Sequence, residues 1–97
     1  PPPAYPAVER DVALLVPDDL PAARVEATIR GAAGQLLEQV FPFDVFEGRG
    51  IPEGKRSIAY RLRYRAPDRT LTDREVDESF ARTLQRLKEE LGVEPRG

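Results

Sequence analysis

The chain has 97 residues, 40% of them hydrophobic and 33% charged, and carries a net charge of −2, which is enough for one domain with a modest core. It contains no Cys and no His, so disulfides, thiol and imidazole chemistry and nearly all zinc sites are excluded. No stretch approaches the ~18 apolar residues of a membrane span and nothing resembles a signal peptide, so the expected compartment is the cytoplasm, with no membrane partner.

The negative charge argues against a generic nucleic-acid binder, so any contact to phosphate must come from local clustering. The basic residues are 13 Arg and 2 Lys. Arginine can fork onto phosphate and stack on a base, which lysine cannot; a GC-rich genome would produce the same excess.

The chain opens Pro1-Pro2-Pro3-Ala4-Tyr5-Pro6. Such a run is extended and has no core of its own. Residues 1–9 read as a proline-rich linker, and residues 10–97 as the domain. An opening of three prolines without an initiating methionine suggests a piece of a longer protein.

Asp11 to Val16 is a short strand stopped by Pro17. Asp18-Asp19-Leu20-Pro21 has the form of a helix start, with acids ahead of the first turn and proline near the first helical position. The spacing of Val25, Ile29, Ala32, Ala33, Leu36 and Val40 predicts one apolar stripe and a helix to about Val40. Gly31 and Gly34 weaken it locally, a pattern that fits close packing on a sheet. Phe41 to Glu47 reads as the second strand, with Phe43 and Val45 toward the core and Asp44 and Phe46 on the other side. A glycine-rich loop, Gly48 to Lys55, follows.

Ser57 to Arg65 alternates without a fault. Ile58, Tyr60, Leu62 and Tyr64 fall on one side, and Ser57, Ala59, Arg61, Arg63 and Arg65 on the other, which means a strand with one buried face. The second face is small and cationic. It could serve as a platform for RNA, or its arginines could form a plain solvated face. Further on, Thr72-Asp73-Arg74-Glu75 is a capping box. Val76, Phe80, Thr83, Leu84, Leu87 and Leu91 form the next helical stripe, which Gly92 closes. Val93 to Arg96 is a last short strand, placed at an edge because Pro95 cannot donate to a ladder.

The order strand, helix, strand, strand, helix, strand is the ferredoxin-like βαββαβ arrangement of the α+β class. It predicts a four-stranded antiparallel sheet with Asp11–Val16 and Ser57–Arg65 in its centre. Both helices should cover the face bearing Val12, Leu14, Val45, Ile58 and Leu62.

Three segments in order then carry a family likeness: Arg10-Asp11-Val12-Ala13; Asp44-Val45-Phe46-Glu47-Gly48 leading to Ile51-Pro52-Glu53-Gly54-Lys55-Arg56-Ser57; and Arg69-Thr70-Leu71-Thr72-Asp73 leading to Glu75-Val76. From Arg10 to Arg96 the chain resembles the ferredoxin-fold anticodon-binding domain at the C-terminus of bacterial phenylalanyl-tRNA synthetase beta subunits. The resemblance implies binding of the anticodon stem-loop of phenylalanine tRNA. It also implies catalysis elsewhere, in an alpha subunit using ATP and magnesium, with no cofactor in this domain; the rest of the beta subunit and the alpha subunit would be its protein partners. Asp44 matches the acidic residue that reads the first anticodon base, a guanine whose N1 and N2 hydrogens a carboxylate can accept. Phe46 stands where relatives often have Tyr and would stack on the base. Ala13, Ser57 and Ala59 match small residues that leave room for it. Arg96 matches an arginine near the C-terminus, although Pro95 replaces a frequent Leu before it. Arg61 and Arg63 join the RNA-binding candidates from the alternation.

Other features point less sharply. Asp18-Asp19 is better explained by capping than by a metal. The Gly48–Gly54 loop lacks a phosphate-loop ending, and Lys55 and Arg56 belong either to RNA backbone contact or to a solvated turn. Arg69-Thr70-Leu71 fixes the strand-to-helix connection. The carboxylates show no paired catalytic spacing, so no catalysis is expected in this chain. The rival readings are a small-molecule-binding regulatory βαββαβ module, which would place ligands in loops between paired copies, and a protein-docking domain, which would expose an apolar patch.

Overall fold

A computed structural model describes residues 2 and 4–97. Its elements are β1 (Val8–Pro17), α1 (Ala22–Ala33), β2 (Leu37–Phe46), β3 (Lys55–Tyr64), α2 (Asp73–Leu91) and β4 (Glu94–Pro95), with a short 3₁₀ turn at Gly34–Leu36. The sheet is antiparallel and its order is β2-β3-β1-β4. This is the expected ferredoxin-like fold, with the two central strands as predicted. The first strand is longer at both ends than its apolar core suggests. Of the proline-rich opening, Pro1 and Pro3 lie outside the described residues.

The β1–β3 register runs unbroken from Val8↔Tyr64 to Pro17↔Lys55. It puts Val12, Leu14 and Val16 beside Tyr60, Ile58 and Arg56 on one face. Over that face lie Val25, Ile29 and Ala33 of α1 and Val76 and Leu87 of α2, in one buried cluster. Leu62 is buried and Arg63 stays on the opposite side, so the register is the one the alternation requires. Tyr60 is fully buried, and burial, with Glu26 nearby, pushes its phenol up to about 12.

α2 starts where the capping box places it. Thr72 Oγ1 accepts the Glu75 amide at 3.1 Å, and Glu75 Oε2 accepts the Thr72 amide at 2.9 Å. The Thr72 amide and the Arg69 guanidinium hold the Glu75 carboxyl below the usual range. Arg69 thereby ties the connection to the helix, as its position suggested. Gly92 ends α2 in the left-handed conformation.

The first helix differs from expectation at both ends. Asp18 and Asp19 do not cap it: Pro21 is the N-cap residue, there is no side-chain cap, and the first turn holds no acid. Instead the Asp18 amide donates to the Gly54 carbonyl at 2.9 Å, joining the two loops at this end of the sheet. The helix also stops at Ala33 rather than about Val40, because Gly34 adopts φ +78°, a conformation that leaves the helical path. Val40 still points into the core, but from β2. Gly31 does not mark close packing either, since a Cβ there would meet nothing within 4 Å.

The two glycines therefore predict opposite outcomes. Gly31→Ala, in an open helix interior, should raise stability by about 0.5–1 kcal/mol. Gly34→Ala should lower it by about 1 kcal/mol or more, because alanine resists positive φ. Urea unfolding of both variants measures this; a shift of the same sign in both would contradict the helix end drawn here.

Candidate nucleic-acid interface

The face opposite the helices is built in rows by strand pairing. One row runs Phe46, Ser57, Leu15, Glu94; the next runs Asp44, Ala59, Ala13. Arg96 follows β4, and its amide donates to the Ala13 carbonyl at 2.8 Å. Ala13, Asp44, Phe46, Ser57, Ala59 and Arg96 are thus assembled at one end of the open face. The floor of Ala13, Ser57 and Ala59 is low because its side chains are short. Phe46 remains 41% exposed, yet Ser57 beside it is 4% exposed. Among the described residues no pocket is enclosed and no cluster of three or more carboxylates suits a metal.

The β2 edge carries two corrections. Phe43 was expected in the core but is 48% exposed, with the Arg61 guanidinium 4.8 Å above its ring. The register slips between Pro42↔Tyr60 and Asp44↔Ala59, so Phe43 is the extra residue of a β-bulge. Such an insertion disrupts the alternation locally. The phase after it is the expected one: Asp44 and Phe46 share the open face with Ala59 and Ser57. Val45 pairs with Ile58 on the helical side but is 58% exposed, on the outermost strand of the sheet. Pro42 was the available sequence signal, since proline inside a strand marks an edge or a bulge.

The arginine row is less cationic than its sequence implies. Arg61 donates to both Asp11 oxygens at 2.8 and 2.9 Å. Arg63 donates to Glu9 at 2.9 Å and to Gln39 at 3.2 Å. Arg65 pairs with Glu38 at 2.8 Å and also bonds the Tyr5 carbonyl. Asp11 and Glu9 stand directly opposite Arg61 and Arg63 in the register, so each charge on these rungs is offset by its cross-strand neighbour. The missed signal was the alternation of Glu9, Asp11, Ala13 and Leu15, which complements Arg63, Arg61, Ala59 and Ser57. Arg56 is also structural: it donates to the Pro17 and Leu20 carbonyls at 2.6 and 2.9 Å. Arg96 differs from all of these. Among the described residues it forms no ion pair, and its guanidinium lies 5.2 Å from the centre of the Phe46 ring.

Residues 3–96 match the ferredoxin-fold anticodon binding domain model. The chain belongs to that family. It is similar to the phenylalanine–tRNA ligase beta subunit of Symbiobacterium thermophilum, with 54% identity over 96 residues, 99% of this chain and 11% of the relative. The beta subunit of Moorella thermoacetica is 51% identical over 94 residues, 97% of this chain and 12% of the relative. That of Clostridium tetani is 48% identical over 94 residues, again 97% and 12%. The chain therefore spans about an eighth of the length of these relatives. Among its described residues no helix is long and apolar enough to cross a membrane.

The Asp11–Arg61 pair makes stability on this face pH-dependent. The Arg61 hydrogen bonds hold the Asp11 carboxyl below its ordinary value despite some desolvation. A depressed carboxylate stabilises the fold above its unfolded pKa of about 3.9, and that contribution is lost as pH falls through the lower folded value. Melting curves between about pH 2.5 and 6 should show a shallower acid decline for Asp11→Asn than for the parent chain. The contribution is small because the pair is solvent-screened. An unchanged decline would show that the pair carries none of it.

Proposed function

We propose that this domain binds the anticodon loop of phenylalanine tRNA and helps a phenylalanine–tRNA ligase select it, while aminoacylation takes place elsewhere in that enzyme. The observation that carries the reading is the shared end of the open face, where an exposed aromatic ring, a carboxylate and a floor of small residues stand together. Such a platform suits a splayed-out base, which stacks on an aromatic residue and is read along its edge. Phe46 supplies the stacking surface and Asp44 accepts the N1 and N2 hydrogens of guanine at the first anticodon position. Ala13, Ser57 and Ala59 give the base its clearance.

Arg61 and Arg63 flank this site as a rim. Their carboxylate partners reduce what they offer a phosphate, and their main role in the proposal is to hold the strands and the neighbouring aromatic rings in place. The family likeness extends the reading to partners: the remainder of a beta subunit, and an alpha subunit whose chemistry uses ATP and magnesium. The work of such an enzyme takes place in the cytoplasm. No cofactor is assigned to this domain.

The test is titration with three anticodon stem-loops that differ only at the first anticodon base. Phe46→Ala should weaken binding of the guanine loop by ~1–3 kcal/mol, with little change in folding stability. Asp44→Asn should chiefly reduce the preference for guanine. Arg63→Ala should weaken all three loops alike and lower the salt slope by less than the ~0.7 of a full phosphate contact on a single strand. Equal losses on every loop for Phe46→Ala and Asp44→Asn, with base preference intact, would show that this face does not read the anticodon.

A further inference from the structure

Three guanidinium groups lie over aromatic rings on the open face: Arg61 over Phe43 at 4.8 Å, Arg63 over Phe41 at 5.9 Å and Arg96 over Phe46 at 5.2 Å. Two of them are fixed, since Arg61 is clamped by Asp11 and Arg63 by Glu9 and Gln39. Arg96 has no such clamp among the described residues; only its backbone is fastened, through the amide to Ala13. Its backbone lies beside β1 in the β4 position and its guanidinium ends over a ring on β2, three strand positions away. At ~4.8 Å per strand, the two backbones stand about 14 Å apart, a gap closed by the Arg96 side chain and the Phe46 ring together. The side chain reaches that ring across β1 and β3, whose open-face residues at this end are Ala13, Leu15, Ala59 and Ser57, and Ser57 is only 4% exposed. On its far side the guanidinium meets the β2–β3 loop, where a Cβ at Gly50 would stand 3.7 Å from Nη2.

We infer that Arg96 is the upper jaw of a stacking slot whose lower jaw is Phe46, and that a nucleobase enters between them. This rests on the base-stacking reading above and adds a second face to it. The present gap is filled by a direct guanidinium–ring contact. A flat base needs two van der Waals gaps of about 3.5 Å each, or about 7 Å in all, so the guanidinium must lift by roughly 2 Å. An unclamped side chain can do so while its backbone stays fixed. A guanidinium plane then stacks on the base from above as the ring does from below. Arg96 thus acts as a stacking surface in addition to a charge, and this distinguishes it from a phosphate contact, where lysine would serve.

The decisive comparison is Arg96→Lys with Arg96→Ala. The guanine stem-loop is titrated against each and against the parent chain at two salt concentrations, with thermal melting as the folding control. If Arg96 is a jaw, lysine does not rescue: both variants bind about ten-fold more weakly, and Arg96→Lys keeps the parent salt slope because its charge is retained. Parent-like binding by Arg96→Lys would overturn the slot in favour of a phosphate contact. Tighter binding by Arg96→Ala would overturn it in favour of a cover that merely blocks the ring. A second measurement is independent of the anticodon. The chain has no tryptophan, so Phe46→Trp creates a single reporter whose fluorescence is followed on addition of guanosine monophosphate. The expected quenching should be weakened in the Phe46→Trp, Arg96→Lys double variant, and equal quenching in both would also overturn the slot. Loops bound without base preference but still dependent on Arg96 would remove the anticodon reading and leave the slot standing. Selective loop binding indifferent to Arg96→Lys would do the reverse, and no response to loop or nucleotide would remove both.

Discussion

The ten-rung pairing of β1 with β3 is the constraint on which the rest of the structure depends. Because side chains alternate across a sheet, one register decides two surfaces at once. It sends Leu14, Ile58, Leu62 and Tyr64 under the helices and places Ala13, Ser57 and Ala59 together on the other side. A slip of one residue would bury Arg61 and Arg63 and expose the core. The burial energy that stabilises the domain therefore also fixes the floor of the open face. That floor needs no dedicated stabilising residues, and its positions are free to be small.

The charges on the open face reinforce the same register. Asp11 opposite Arg61 and Glu9 opposite Arg63 form matched cross-strand rungs, and a slipped pairing would lose both. Exposed pairs of this kind contribute modestly to stability. Their arrangement matters more for what it does to the surface. It offsets the positive field that three arginines would otherwise present, so binding that depended on charge alone would be weak here. The end of the face with Phe46, Asp44 and Arg96 is chemically different, combining a ring, a hydrogen-bond acceptor and a cation that forms no ion pair among the described residues.

Much of this was legible in the sequence, and the exceptions have physical causes. The alternation of β3, the capping box at Thr72 and the stop at Gly92 are local signals, and each element formed where its signal stood. The first helix ran too long on paper because Leu36 and Val40 keep the helical spacing, while the conformation of Gly34 outweighs two apolar side chains. The core placement of Phe43 failed because a bulge adds one residue to a pattern of period two. Pro42 hinted at it but could not say on which side of itself the extra residue would fall. The neutralisation of the arginines is not legible in β3 alone for another reason: charge on a sheet belongs to pairs of strands, and Glu9 and Asp11 lie on β1. The family likeness supplied the grouping of Asp44, Phe46 and Arg96, which no single segment contains.

The shortness of β4 bears on how the site can move. Only Glu94 and Pro95 pair with β1, and Arg96 follows with a single backbone bond to Ala13. Proline costs an edge strand nothing on its outer side. A longer strand would carry its side chains upright from the sheet, each confined to its own row. Ending the ladder at Pro95 instead leaves the last cation fastened at its backbone and free along its side chain, able to lie flat over two neighbouring strands. That freedom has a use only if the residues beneath are short, which Ala13, Ser57 and Ala59 are. The small floor and the truncated edge strand are therefore two parts of one arrangement: the first makes space above the sheet, and the second supplies a group that can fill it and leave it.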